Sequence, residues 1–459
     1  MKKLCLLAVC SWMATACAAE TLTHGRFQDL TIYRPRGEVQ RVVLFLSGGD
    51  GWNAHLASAA QALAGEGALV AGIDTPALFA DLERDDASCL SPDGDLENLS
   101  HFVQAYYRLP TYHAPILIGY SAGATFAYAM VAQAPPGTFA GGISLAFHPH
   151  LTLRKSLCES GSLRFTASKD HRGATLLPAP RLHTPWIVLQ GREDAVYDVA
   201  TAQDFVSRTH HSDLVVLSGV GPQYAETFHW LTPLRASVQK LAAQRVPVLL
   251  PPKELLGLPI VEVAAKASST DVLAVLLSGD GGWAGIDKKV AATLAQRGIP
   301  VVGLDSLRYF WSERTPQSTA TDVDRILSYY SSKWSKRRVL LIGYSQGADV
   351  LPFVINRLRP QTRAQVQLLA LLGPGHNAEF EFHLSDWLGS AERGLPIRPE
   401  IERISGPRVL CIYGADEADA LCPTLPKNHV QILKLSGGHH FDGDYQHLAT
   451  LLIERVTAP

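Results

Sequence analysis

Val339-Leu340-Leu341-Ile342-Gly343-Tyr344-Ser345-Gln346-Gly347 is an apolar run that ends in Gly-x-Ser-x-Gly and leads into a helix-forming stretch, Ala348 to Leu358. Earlier in the chain Pro115-Ile116-Leu117-Ile118-Gly119-Tyr120-Ser121-Ala122-Gly123 repeats the pattern. A buried strand that stops at this pentapeptide and continues as a helix puts the serine at the tip of a sharp turn. The turn is strained, and glycines flank it because larger residues would collide with strand and helix. A lone match is common by chance. A strand before it, a helix behind it and a second copy in the same setting make it the nucleophile elbow of an α/β-hydrolase.

The repetition extends outward from the elbow. Ser47-Gly48-Gly49-Asp50-Gly51-Trp52 returns as Ser278-Gly279-Asp280-Gly281-Gly282-Trp283, each after an apolar strand, Val42 to Leu46 and Val272 to Leu277. Val70-Ala71-Gly72-Ile73-Asp74 returns as Val301-Val302-Gly303-Leu304-Asp305. Beyond the elbow, Trp186 to Gly191 matches Val409 to Gly414, and Val215 to Gly219 matches Gln431 to Gly437. Strands that are apolar throughout and alternate with helices indicate a parallel sheet covered on both faces. The expected fold class is α/β: tandem α/β-hydrolase domains with mostly parallel sheets and helices on both faces. Each domain has about 200 residues, a size at which one core is comfortable. The expected boundaries are a signal peptide over residues 1–19, a first domain over 20–245, a linker over 246–256 and a second domain over 257–459. The joint falls at Arg245 to Pro252, whose Val-Pro-Val-Leu-Leu-Pro-Pro breaks both helix and strand.

The chain carries 41 basic and 43 acidic side chains, so no strong net field calls for nucleic acid as a partner. Lys2-Lys3, the apolar stretch Leu4 to Met13 and Ala16-Cys17-Ala18 have the order of a secretory signal peptide. The apolar stretch is short for a membrane span. Ala14-Thr15-Ala16-Cys17 is a weak lipidation signal, and plain cleavage is favoured over a lipid anchor on Cys17. Removal of the leader leaves Cys89, Cys158, Cys411 and Cys422, an even number that in an exported protein suggests disulfides. The expected pairs lie within domains, Cys89 with Cys158 and Cys411 with Cys422.

A serine hydroxyl attacks well only when a histidine takes its proton and an acid orients that histidine. In this fold the three follow the order serine, acid, histidine. The second domain offers Ser345, the acidic loop Gly414-Ala415-Asp416-Glu417-Ala418-Asp419, and Gly437-Gly438-His439-His440. His439, directly after the glycine, is the expected base, with His440 as alternate. Register against Gly191-Arg192-Glu193-Asp194 in the first domain points to Glu417 as the acid, with Asp419 as alternate. Two backbone N–H groups should form an oxyanion hole, one from Gln346 and one from Asp280 or Gly281. Neither a metal site nor a cofactor is expected. The first domain keeps Ser121 and Asp194 but reads Gly219-Val220-Gly221-Pro222 where the base should stand. His229, further on, is expected to be structural, and this half to be a degenerate copy.

The second half resembles the VirJ/AcvB family of bacterial virulence proteins. The resemblance rests on Ser278 to Trp283, Leu307-Arg308-Tyr309-Phe310-Trp311, Gly343 to Phe353, and Gly437 through Phe441 to Tyr445. A full-length chain with a degenerate first half looks like the AcvB form. The resemblance implies a periplasmic protein, either a hydrolase that removes the amino acid from aminoacylated phosphatidylglycerol or one linked to type IV secretion. It implies as partners an aminoacylated phospholipid at the membrane surface and, in the rival reading as a non-catalytic adaptor, envelope or secretion-system proteins. On that substrate, Asp349 would meet the aminoacyl ammonium, one helical turn from Ser345. Tyr309, Phe310 and Trp311, and also Phe380, Phe382 and Trp387, would line the site edge or a lid near the headgroups.

Overall fold

The computed structural model describes residues 20–85, 89–109, 111–159, 161–168, 173–225, 227–243, 253–265, 270–381 and 394–457. The leader with Cys17, most of the joint between the halves, Phe382 and Trp387 lie outside the described residues.

Two sheets organise the chain. The first has eight strands in the spatial order Glu20–His24, Phe27–Tyr33, Ala68–Ile73, Arg41–Leu46, Ile116–Tyr120, Gly141–Leu145, Trp186–Gly191 and Ser212–Leu217. The second has seven: Ile260–Val263, Val301–Leu304, Val272–Leu277, Arg338–Tyr344, Val366–Leu372, Arg408–Gly414 and Val430–Leu435. At one edge of each sheet Phe27–Tyr33 and Ile260–Val263 run antiparallel to their neighbours; the strands beyond them pair in parallel. The chain is therefore two α/β-hydrolase folds in series.

Alternation along the strands shows why both faces need helices. Val42, Leu44 and Leu46 point into one core, Val43 and Phe45 into another on the opposite face. In the second domain Leu273, Val275 and Leu277 divide from Val272, Ala274 and Leu276 in the same way. Fully burying one such side chain contributes roughly 1.5–3 kcal/mol, so either face left bare would be costly.

The repeated Gly-rich loop and the repeated Val-x-Gly-x-Asp strand prove to be one device. A Cβ on Gly72 would lie 2.5 Å from the Trp52 ring, and one on Gly303 would lie 2.2 Å from the Trp283 ring. Each strand is thus notched to receive the tryptophan of its own loop. Asp74 accepts the Trp52 backbone N–H at 3.1 Å and caps the helix that follows through Ala77 N–H. Asp305 caps Arg308 N–H in the same way.

Both expected disulfides are present, Cys89–Cys158 and Cys411–Cys422. Among the described residues no helix is long and apolar enough to cross a membrane.

Candidate active site

The two elbows have nearly the same backbone. Ser345 has φ 51° and ψ −120°, and Ser121 has φ 52° and ψ −115°. A side chain in this region costs of order 1–3 kcal/mol, so the surroundings must impose it. They do: a Cβ on Gly343 would lie 2.3 Å from the Gly347 carbonyl oxygen, and one on Gly347 would lie 2.2 Å from that of Leu277. The strand, the turn and the helix are in backbone contact, and only glycine permits it.

Ser345 sits at the carboxyl end of strand Arg338–Tyr344, and helix Gln346–Arg357 begins at the next residue. The first N–H groups of a helix have no carbonyl partner within it, which leaves the Gln346 N–H aimed at whatever occupies the turn. The Gly-rich loop closes the other side: a Cβ on Gly279 would meet Ser345 Cβ at 3.3 Å. Asp280 and Gly281 lie in that loop between Gly279 and Gly282, whose N–H donates to the Gly279 carbonyl at 3.1 Å.

The loops after the last two strands bring together His439 and Glu417, with the imidazole Nδ1 2.5 Å from Glu417 Oε1. Glu417 Oε2 accepts the Gly414 N–H at 2.6 Å, so both carboxylate oxygens are engaged. Gly373 (φ 59°), after strand Val366–Leu372, lets the imidazole approach, because a Cβ there would lie 2.7 Å from His439 Cε1. The Cys411–Cys422 bridge starts in strand Arg408–Gly414 and closes the segment that carries Glu417. Of the two alternates, Asp419 is 96 % exposed and faces His376 at 3.2 Å. His440 Nδ1 lies 3.1 Å from the Tyr344 hydroxyl. Burial, and then neighbouring His439, lower the His440 pKa.

Asp349 lies one turn beyond Ser345, partly buried, with Oδ1 accepting the Gly375 N–H at 2.7 Å. Burial pushes its carboxyl up to about 8, against the stabilising Gly375 bond. Two expected substrate contacts need correction. Tyr309 is fully buried, its hydroxyl is bonded to Asp322 at 2.7 Å, and the Arg314 guanidinium stacks on its ring. Trp311 packs edge-on against His101 and Tyr112 of the first domain. The segment that holds them turns inward after its short helix, so these rings fill core and domain interface. Phe380 is likewise buried, against Phe310 and Phe353.

In the first domain Ser121 Oγ lies 3.4 Å from the Tyr197 hydroxyl. Asp194 is buried and spends Oδ1 on the N–H groups of Val196 and Tyr197. His229 rests beside Gly219 and stacks on Phe228, at the start of helix Thr227–Ala243. Where the second domain places Asp349, the first places Thr125, which donates to the His148 carbonyl at 2.6 Å.

The sequence reading missed one surface. Helix Pro92–Tyr106 of the first domain buries Asp93, Glu97 and His101, spaced four residues apart and hence on one face. Asp93 pairs with Lys288 and Glu97 with Arg308 at 2.5 Å, both cations coming from the second domain. Arg308 also donates to Thr138 at 2.8 Å. Carboxylates at i and i+4 repel on an isolated helix, so that spacing inside an apolar helix pattern was the available signal for a cationic partner.

A family model described as bacterial virulence protein (VirJ) matches residues 271–458. The second domain is therefore similar to the VirJ family over nearly its whole length. The VirJ match covers the second sheet apart from its first strand, together with Ser345, Glu417 and His439. No curated protein sequence matches the chain. Similar solved structures include the esterase domain of a Rhodothermus marinus protein, at 13 % identity and TM-score 0.32, covering 46 % of this chain and 92 % of its own. An alpha-beta serine hydrolase homologue from Coxiella burnetii has 17 % identity and TM-score 0.33, covering 48 % and 95 %. Dienelactone hydrolase from Anabaena variabilis has 15 % identity and TM-score 0.33, covering 49 % and 94 %.

Proposed function

We propose that the second domain is a serine esterase in which Ser345 is the nucleophile, His439 the base and Glu417 the orienting acid. The observation that carries this reading is the bond from His439 Nδ1 to Glu417, on an imidazole whose ring centroid lies 5.2 Å from that of Tyr344, the residue before a serine held at positive φ. Glu417 fixes the imidazole with its proton on Nδ1, leaving Nε2 to accept the serine proton. Ser345 Oγ adds to the ester carbonyl carbon, and the resulting oxyanion is met by the N–H groups of Gln346 and of Asp280 or Gly281. Collapse expels the alcohol, which takes the proton back from Nε2. Water, deprotonated by the same imidazole, then releases the acid and restores Ser345.

For substrate we propose the aminoacyl ester of an aminoacylated phosphatidylglycerol, such as lysyl- or alanyl-phosphatidylglycerol, met at the membrane surface in the periplasm. The family resemblance supports this, as does Asp349, whose carboxyl beside the nucleophile would be ionised and paired by an incoming ammonium. The two disulfides fit an oxidising compartment. The test presents purified protein with vesicles containing lysyl- or alanyl-phosphatidylglycerol and measures the free amino acid. Release by the wild type and none by Ser345→Ala is expected. Labelling of Ser345 by a fluorophosphonate without release from either lipid would keep the esterase and discard the lipid. No labelling at all would favour the non-catalytic adaptor.

A further inference from the structure

The rim of the second-domain site includes residues of the first domain. Helix Pro92–Tyr106 packs on the Gly-rich loop, so that a Cβ on Gly94 would touch Ala284 Cβ at 2.7 Å. One turn on, the Asn98 amide nitrogen Nδ2 lies 3.8 Å from the place a Gly281 Cβ would take. Through Gly279 the same loop lies against Ser345. A side-chain amide of the degenerate half therefore stands beside the loop expected to hold the oxyanion.

Its orientation is set from behind. Asn98 Oδ1 lies 2.7 Å from His24 Nε2, and because a carbonyl oxygen can only accept, the imidazole carries its proton on Nε2. That bond turns Nδ2 away from His24 and toward Gly281. Asn98 is only partly buried, and among the described residues its Nδ2 makes no hydrogen bond. Asp280 lies within electrostatic reach of both His24 and His440, and Asp85 and Arg26 of the first domain act on His440 as well. The first-domain wall thus borders the side of the site that carries the His439–His440 segment. During ester cleavage the departing alcohol collects its proton from the imidazole, so it must leave on that side.

We propose that Asn98 of the first domain determines specificity in the second domain's site, donating through Nδ2 to an oxygen on the alcohol portion of the ester, with His24 as its positioning residue. The acceptor is a polyol hydroxyl or a phosphate oxygen attached to that polyol. The inference rests on the esterase reading and is independent of the lipid.

Three esters that share one acyl group test it on the full-length protein: the ethyl, glyceryl and glycerophosphoryl esters. One neutral hydrogen bond should change kcat/KM by about threefold to tenfold. Asn98→Ala should lose that factor on the polyol esters and nothing on the ethyl ester. Loss already seen with the glyceryl ester assigns the acceptor to a hydroxyl; loss confined to the glycerophosphoryl ester assigns it to the phosphate. Asn98→Asp keeps the size and removes the donor, and it should be worst on the glycerophosphoryl ester through repulsion. This second variant serves if the alanine variant folds poorly. His24→Leu should give a smaller loss with the same substrate ranking. Equal loss on all three esters, or no loss on any, would overturn the inference while leaving the esterase intact. A wild type that cleaves no ester and whose Ser345 resists a fluorophosphonate would bring down both.

Discussion

Ser121 and Ser345 hold the same strained backbone within a few degrees, yet their surroundings differ. In the second domain the last loops bring an imidazole bonded to a carboxylate against Tyr344, the residue before Ser345; in the first, the Ser121 hydroxyl faces that of Tyr197 at 3.4 Å. Packing explains why the first elbow persists. Its glycines touch neighbouring backbone, with a Gly119 Cβ position 2.0 Å from the Gly123 oxygen and a Gly123 position 2.4 Å from that of Ser47. Any other turn would require the strand and helix to separate. The architecture of an elbow is a packing solution in both halves.

The contrast can be broken most decisively at the serines. Ser345→Ala should remove turnover by on the order of a millionfold, while Ser121→Ala leaves it unchanged. Similar losses in both variants would make the first domain catalytic. The acids come next. Glu417→Gln should lower kcat by about ten-thousandfold, the scale seen when a triad acid becomes an amide, while Asp194→Asn and Asp419→Asn do not alter the rate. A large effect of Asp419→Asn would move the acid along the loop.

Covalent support of the acid loop also separates the halves. The chain-entropy argument gives a short loop such as Cys411 to Cys422 roughly 3 kcal/mol of stability. The paired Cys411→Ser and Cys422→Ser variant should melt lower and lose activity, since Glu417 sits within the loop. Full activity at temperatures below the lowered melting point would show that the His439 and Gly414 bonds suffice to hold the acid.

Asp349 against Thr125 gives a pH-dependent test. Burial raises the Asp349 carboxyl from 3.8 to about 8. Between those values the native form holds a proton that the unfolded chain has lost, so this residue's contribution to stability falls as pH rises through that window. Asp349→Asn removes the dependence. Its melting temperature should match the wild type near pH 4 and exceed it at pH 9; parallel curves would mean that the carboxyl titrates normally. The smallest effect is expected at the idle elbow. Ser121→Gly relieves the positive φ at some cost in chain entropy and should stabilise by about 1 kcal/mol at most. A destabilised variant would give the Tyr197 contact a structural role.

The fold was legible because its markers are local. Each elbow, Gly-rich loop and apolar strand is a contiguous string, and duplication let each copy support the other. The cysteine pairs also followed from position and from the even count expected once the leader is removed. What escaped was set by side chains meeting across distance. Tyr309 and Trp311 follow a strand at its carboxyl end, as site residues do, but their segment turns into the core and onto the first domain. The helix face of Asp93, Glu97 and His101 had a readable spacing, yet among the described residues the ion pairs of Asp93 and Glu97 are made with the other half. Lys288 and Arg308 supply the cations from 195 and 211 residues on.

The Cys89–Cys158 bridge anchors the entry to that same helix, with Leu90 N–H bonded to the Ser156 carbonyl at 2.9 Å and Cys158 N–H to that of Leu90 at 2.7 Å. On the Asn98 proposal, thiol chemistry in one half is thereby tied to substrate choice in the other. Protein made in a reducing cytosol would carry the same nucleophile behind a more loosely held wall. Preparations from the two compartments should then rank polyol esters differently while reacting alike with a small fluorophosphonate, so the place of synthesis becomes a variable in any assay of selectivity.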